Sequence, residues 1–77
     1  MLQANLIKEN ISSFLKVPLT SLQDSKVLTE LVSDSFILVE MVMFLQDELH
    51  VRLIQDDIKD IKTVGDFVRV FQEKSAK

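Results

Sequence analysis

Between Phe36 and Leu45 only Glu40 is not apolar. The run follows Asp34 and Ser35, where polar, loop-like sequence gives way to a helix that is greasy nearly all round. A chain of 77 residues makes one small domain and cannot hide every face of such a helix. Some of it therefore faces a partner, with the Ser35 hydroxyl placed beside that surface. One Gly and one Pro leave little material for hairpins, which favours helices elsewhere too. The chain has no Cys, so disulfides and thiolate metal sites contribute nothing and no oxidising compartment is needed.

The expected fold is all-α: a small bundle of three main helices plus one short helix, with a long ordered loop between the first and second helices. Leu2, Leu6, Ile7, Ile11, Phe14 and Leu15 fall at helical spacing and predict a first helix over about 2–16. It stops near Val17 because Pro18 disfavours the helical conformation in the residue before it. No period dominates 17–34, which predicts a loop pinned by Leu19, Leu22, Val27, Leu28 and Leu31. Ser33 or Asp34 can cap a second helix over 35–50. A short acidic helix is expected at 55–60, and Thr63 with Asp66 has the spacing of a capping box opening a last helix over 64–73. Residues 1–77 form a single domain in this reading.

The formal charge of −3, from 12 acidic and 9 basic residues, argues against a nucleic-acid partner and for one with a basic patch. Without Trp or Tyr the chain has little to stack against a base or sugar. The start, Met1-Leu2-Gln3-Ala4-Asn5, lacks the basic region and apolar run of a signal peptide. The 36–45 run is shorter than the roughly 20 residues that cross a bilayer. A cytoplasmic monomer with no membrane partner is the expectation. Asp56, Asp57 and Asp60 read as a solvated face rather than a metal site, His50 as a surface residue at a helix end, and Lys74 and Lys77 as a tail.

At 3.6 residues per turn Leu38, Met41, Val42, Leu45 and Leu49 share one stripe of the second helix, its natural core face. Glu40 and Asp47 lie opposite, with Phe36, Ile37, Met43 and Phe44 beside them. Either some of these pack under the loop or short helix, or they form a mixed face of apolar anchors among carboxylates, as binding surfaces do. A serine nucleophile needs a base and oxyanion donors. The one histidine, His50, falls at the far end of the same helix, and there is no G-x-S-x-G turn. Ser35 is therefore an acceptor of a group or simply a helix cap, and catalytic residues are not expected.

Leu31-Val32-Ser33-Asp34-Ser35-Phe36, followed by Val39-Glu40-Met41-Val42-Met43, resembles the L-G-x-D-S-L and V-E-L-V-M signatures of the acyl carrier proteins. Ile58 to Val68 resembles the family's stretch leading into its last helix, and Leu15-Lys16-Val17 the end of its first. The likeness covers nearly the whole chain, with one residue of difference in the loop. It implies a 4′-phosphopantetheine arm from coenzyme A on Ser35, attached by a phosphopantetheinyl transferase. The arm's thiol would carry acyl groups as thioesters between acyl-loading and condensing enzymes, the chain itself catalysing nothing. Asp34 would help the transferase arrange Mg²⁺ and coenzyme A, cap the helix, or both. Glu40, Met43 and Asp47 match the family's recognition helix, and Val42, Leu45 and Ile61 would line the interior that can shelter an acyl chain.

Val32 replaces the motif's glycine, which would stiffen the approach to Ser35 and restrict which transferase accepts it. Phe36 replaces its leucine, and D-S-F also occurs in D-alanyl carriers and some peptidyl carriers. Ile37, Leu38 and Phe44 are apolar where primary fatty-acid carriers usually have polar or small residues, and the net charge is modest. The resemblance implies a carrier for enzymes of polyketide or fatty-acid-type biosynthesis, and these departures favour a specialised one, of polyketide or another secondary pathway, whose partners rely on apolar contact. An aminoacyl carrier of the D-alanyl type and an unmodified helical interaction module are the alternatives.

Overall fold

Helix α1 (Ala4–Leu15) turns Ile7 and Ile11 fully inward and leaves Leu6 exposed. It ends where Lys16 takes up the left-handed conformation, φ 58°. There the N–H groups of Lys16 and Val17 both donate to the carbonyl of Ser12, closing the helix in the manner usually reserved for glycine. The computed structural model describes residues 2–75.

Segment 17–34 differs from the expected continuous loop, holding a 3₁₀ turn (Leu19–Ser21) and a one-turn helix, α2 (Leu28–Leu31). Four residues are too few to show a period of 3.6. What holds α2 is tertiary: Leu28 is buried, its N–H donates to the carbonyl of Lys62 at 2.9 Å, and Glu30 accepts from the N–H of Val27 at 3.4 Å.

The same segment caps the last helix, α5 (Val64–Ser75). The N–H groups of Val64 and Gly65 would be orphans at a helix start. They donate to the carbonyls of Lys26 at 2.9 Å and Asp24 at 3.0 Å. Beside them Val27 and Thr63 form an isolated antiparallel bridge, and the described residues contain no strand. Thr63 and Asp66 close the expected capping box: Asp66 N–H donates to Thr63 Oγ1 at 3.1 Å, and Thr63 N–H to Asp66 Oδ2 at 3.2 Å.

Helix α3 (Ser35–Leu49) buries Met41, Val42 and Leu45, with Leu38 and Leu49 partly covered. His50 closes it in the left-handed conformation, φ 54°. Val51 and Leu53 then return to the core, and Leu53 N–H donates to Gln46 Oε1 at 2.9 Å. Helix α4 (Gln55–Lys59) is fastened by Asp57, which accepts from Ile54 N–H at 2.9 Å and pairs with Lys74 at 3.3 Å. Asp57 is thus a structural joint, not part of a solvated face, and Lys74 is an anchor of α5, not a tail. Lys77 lies outside the described residues.

The start of the described chain ties down the other end of α5. Leu2 N–H donates to Ser75 Oγ at 3.2 Å, and Gln72 Nε2 donates to the Leu2 carbonyl at 3.1 Å. These bonds carry α5 past residue 73, where the sequence predicts it to fray. Helix α1 lies against both α5 and α3. Inside, Phe67 and Phe71 stack with ring centroids 4.9 Å apart and planes 7° from parallel. Three main helices with short helices between them make the all-α bundle expected from the sequence.

Candidate functional site

Asp34 is extended, φ −110° and ψ 118°, and its Oδ1 accepts from Phe36 N–H at 2.9 Å. Its carbonyl accepts from Ile37 and Leu38, so the chain enters α3 on a fixed path. Ser35 is the first helical residue and is exposed; among the described residues no hydrogen bond engages its hydroxyl. A phosphodiester on this oxygen would sit at the positive end of a four-turn helix, where anions are favoured. The residues therefore fit a phosphorylated arm. Ser33 makes no capping bond, so the cap is Asp34.

Val32, in place of the motif's glycine, is buried and extended with φ −132°. Any L-residue adopts that conformation, so the replacement strains nothing. His50 lies fifteen helical rises from Ser35, about 22 Å at 1.5 Å each. The one histidine of the chain is therefore out of reach of the hydroxyl.

Phe36, Glu40, Met43 and Asp47 recur at i, i+4, i+7 and i+11, one stripe opposite the core. Phe36 is 66% and Met43 60% exposed. Ile37 is exposed at the flank of this stripe. Phe44 departs from it: the residue is half-buried, its ring 5.2 Å from that of Phe14, because α1 covers that side of α3. Val39 and Ile54 are exposed apolar residues the sequence reading did not single out. The wheel could have found Val39, one turn before Met43; Ile54 has no periodic signal because it precedes a helix of five residues.

The acids of α3 form no ion pair among the described residues. The four pairs, Lys8–Asp24, Lys59–Asp56, Arg69–Asp66 and Lys74–Asp57, all lie elsewhere. Glu40 and Asp47 thus remain available to cations from outside. Val42, Leu45 and Ile61 sit in the buried core, not on this face. A shallow open groove past Met43, bordered by Asp47, His50 and Arg52, ends the exposed face. No helix among the described residues is long and apolar enough to cross a membrane.

Fold and site together define a small helical bundle with an exposed serine hydroxyl at the start of α3. The sequence model of the phosphopantetheine attachment site family matches residues 5–71. The chain is similar to acyl carrier proteins of several bacteria. It is 34% identical to that of Wolinella succinogenes over 67 residues, 86% of this chain and 88% of the relative. To that of Clostridium perfringens strain SM101 it is 35% identical over 54 residues, 70% and 71% of the two chains. To that of Chlamydia trachomatis serovar D it is 33% identical over 51 residues. That last match spans just under two thirds of either chain, 66%. The chain belongs to the phosphopantetheine-attachment family of acyl carriers, whose prosthetic group is 4′-phosphopantetheine.

Proposed function

We propose that this protein is a cytoplasmic, monomeric carrier that holds acyl intermediates on an arm at Ser35 and passes them between enzymes of a specialised pathway. The observation that carries the reading is the exposed Ser35 hydroxyl at the capped, positive start of α3, within a chain of the attachment-site family. When bound, the phosphopantetheine supplies a thiol for thioester chemistry, which the cysteine-free chain lacks. Ser35 contributes the oxygen of the phosphodiester, and Asp34 fixes the turn that presents it. The exposed stripe of α3 then meets the transferase and the loading and condensing enzymes. Polyketide-type rather than primary fatty-acid metabolism is favoured by Phe36 and Ile37, two of the departures from the family pattern, which stand exposed beside Ser35.

Intact-mass measurement after incubation with coenzyme A, Mg²⁺ and a broad-specificity transferase tests this. One phosphopantetheinyl increment is expected, absent in Ser35→Ala at unchanged helicity. No increment, where a control carrier is modified, would leave the unmodified interaction module. Phe36 favours the aminoacyl alternative, so loading by acyl against aminoacyl adenylating enzymes separates those two; acyl loading is expected.

A further inference from the structure

Val42, Leu45 and Ile61, the residues expected to line an acyl shelter, are buried within one continuous cluster that also contains Val64, Phe67 and Phe71. Both phenylalanines are fully buried. They lie one turn apart on α5, and their stacked rings form a flat, rigid filler. Long unbranched side chains bend out of an incoming ligand's way, whereas a close-packed stacked pair has few low-energy ways to move aside, so a ligand would also have to displace the helix that bears it.

That helix is held at both ends. The carbonyls of Asp24 and Lys26 grip the N–H groups of Gly65 and Val64. At the other end, Leu2 bonds Ser75 and Gln72, while Lys74 pairs with Asp57 of α4. Dilating the bundle would break several of these bonds together. Outside, by contrast, apolar surface begins at once beside Ser35, with Phe36, Val39 and Met43 along the exposed side of α3.

We infer that this carrier does not withdraw a long acyl chain into its bundle, because Phe67, stacked on Phe71, already fills the space. Its cargo is therefore of a class that needs no shelter, short or polar acyl groups, and Phe67 is the residue that sets this limit. The inference rests on the carrier reading of Ser35. Removing the ring should open an apolar cavity, and cavities of about 150 Å³ in apolar cores stay dry and accept apolar ligands.

The test is methyl NMR on protein loaded at Ser35 with acetyl- or octanoyl-phosphopantetheine, loading being verified by intact mass. Between the two forms of the wild type, the methyl signals of Val42, Leu45 and Ile61 are expected to coincide within a linewidth. In Phe67→Ala, octanoyl but not acetyl should move those signals and raise Tm. Phe67→Leu serves the same purpose if the alanine variant fails to fold. Wild-type core methyls that move on octanoyl loading overturn the inference. Core methyls that stay still in the wild type and in every folded variant overturn the role given to Phe67. Failure of the carrier reading is a separate result, visible as no added mass.

Discussion

The N–H of Phe36 donates to Oδ1 of Asp34 at 2.9 Å, so the residues on either side of Ser35 are bonded to each other across it. The serine is held by its neighbours while its own hydroxyl stays free. Asp34→Ala removes this cap and is expected to destabilise the protein by about 1 kcal/mol, with Asp34→Ser restoring most of the loss. Urea unfolding of the three proteins measures it. A stability unchanged in Asp34→Ala would mean that the cap contributes nothing.

Gly65 stands where a Cβ would meet the carbonyl oxygen of Asp24 at 3.1 Å and its Cβ at 3.2 Å. In an exposed helix, Gly→Ala stabilises by about 1 kcal/mol. Here Asp24 is held from two sides, by the Gly65 N–H at 3.0 Å and by Lys8 at 2.8 Å, and has little room to retreat. Gly65→Ala is therefore expected to destabilise, by about 1 kcal/mol, as overpacked sites do. Slower amide exchange at Gly65 in the wild type than in a Lys8→Ala variant would show the same clamp from the other side. A more stable Gly65→Ala would show that the loop yields.

What could be read in advance divides along physical lines. Helices α1, α3 and α5 are long enough for their apolar residues to mark a face, and the caps at Asp34 and Thr63 are side-chain signals visible in the letters. The one-turn α2 and the loop's grip on α5 were not legible, because they depend on backbone groups of Asp24, Lys26 and Lys62 that any residue would supply. Phe44 shows the limit of a wheel: it lies beside the acids in angle, yet Phe14 covers it, and a single-helix projection does not contain the neighbouring helix. Ser35 stood out because its chemistry lies in its side chain and its setting in three adjacent letters.

Asp66 accepts from the N–H groups of Thr63 and Lys62 and from Arg69, and the two backbone bonds, Thr63 first, lower its carboxyl below the ordinary aspartate value. A folded pKa below the unfolded one means that the unfolded chain binds the proton more readily. The contribution is then present above the unfolded pKa and lost as pH falls through the folded one. Stability should decline on acidification below about pH 4, the unfolded aspartate range. Asp66→Asn should flatten that limb of a Tm–pH curve while lowering Tm at neutral pH. A variant curve parallel to the wild type's down to about pH 2 would exclude Asp66 as a contributor.

The stripe Phe36, Glu40, Met43 and Asp47 mixes two kinds of contact that salt can tell apart. Carboxylates in water act through a field whose reach falls to about 3 Å at roughly 1 M salt, whereas apolar burial survives it. With a transferase as the partner, Glu40→Ala and Asp47→Ala should weaken apparent affinity at low salt and have little effect at high salt. Phe36→Ala should weaken it about tenfold, equivalent to about 1.4 kcal/mol, at both, and Met43→Ala should act in the same sense. Steady-state kinetics of phosphopantetheine transfer at two ionic strengths reads all four variants. If added salt abolished wild-type binding, or erased the Phe36→Ala effect, partner choice would rest on charge, and the apolar departures around Ser35 would have no part in it.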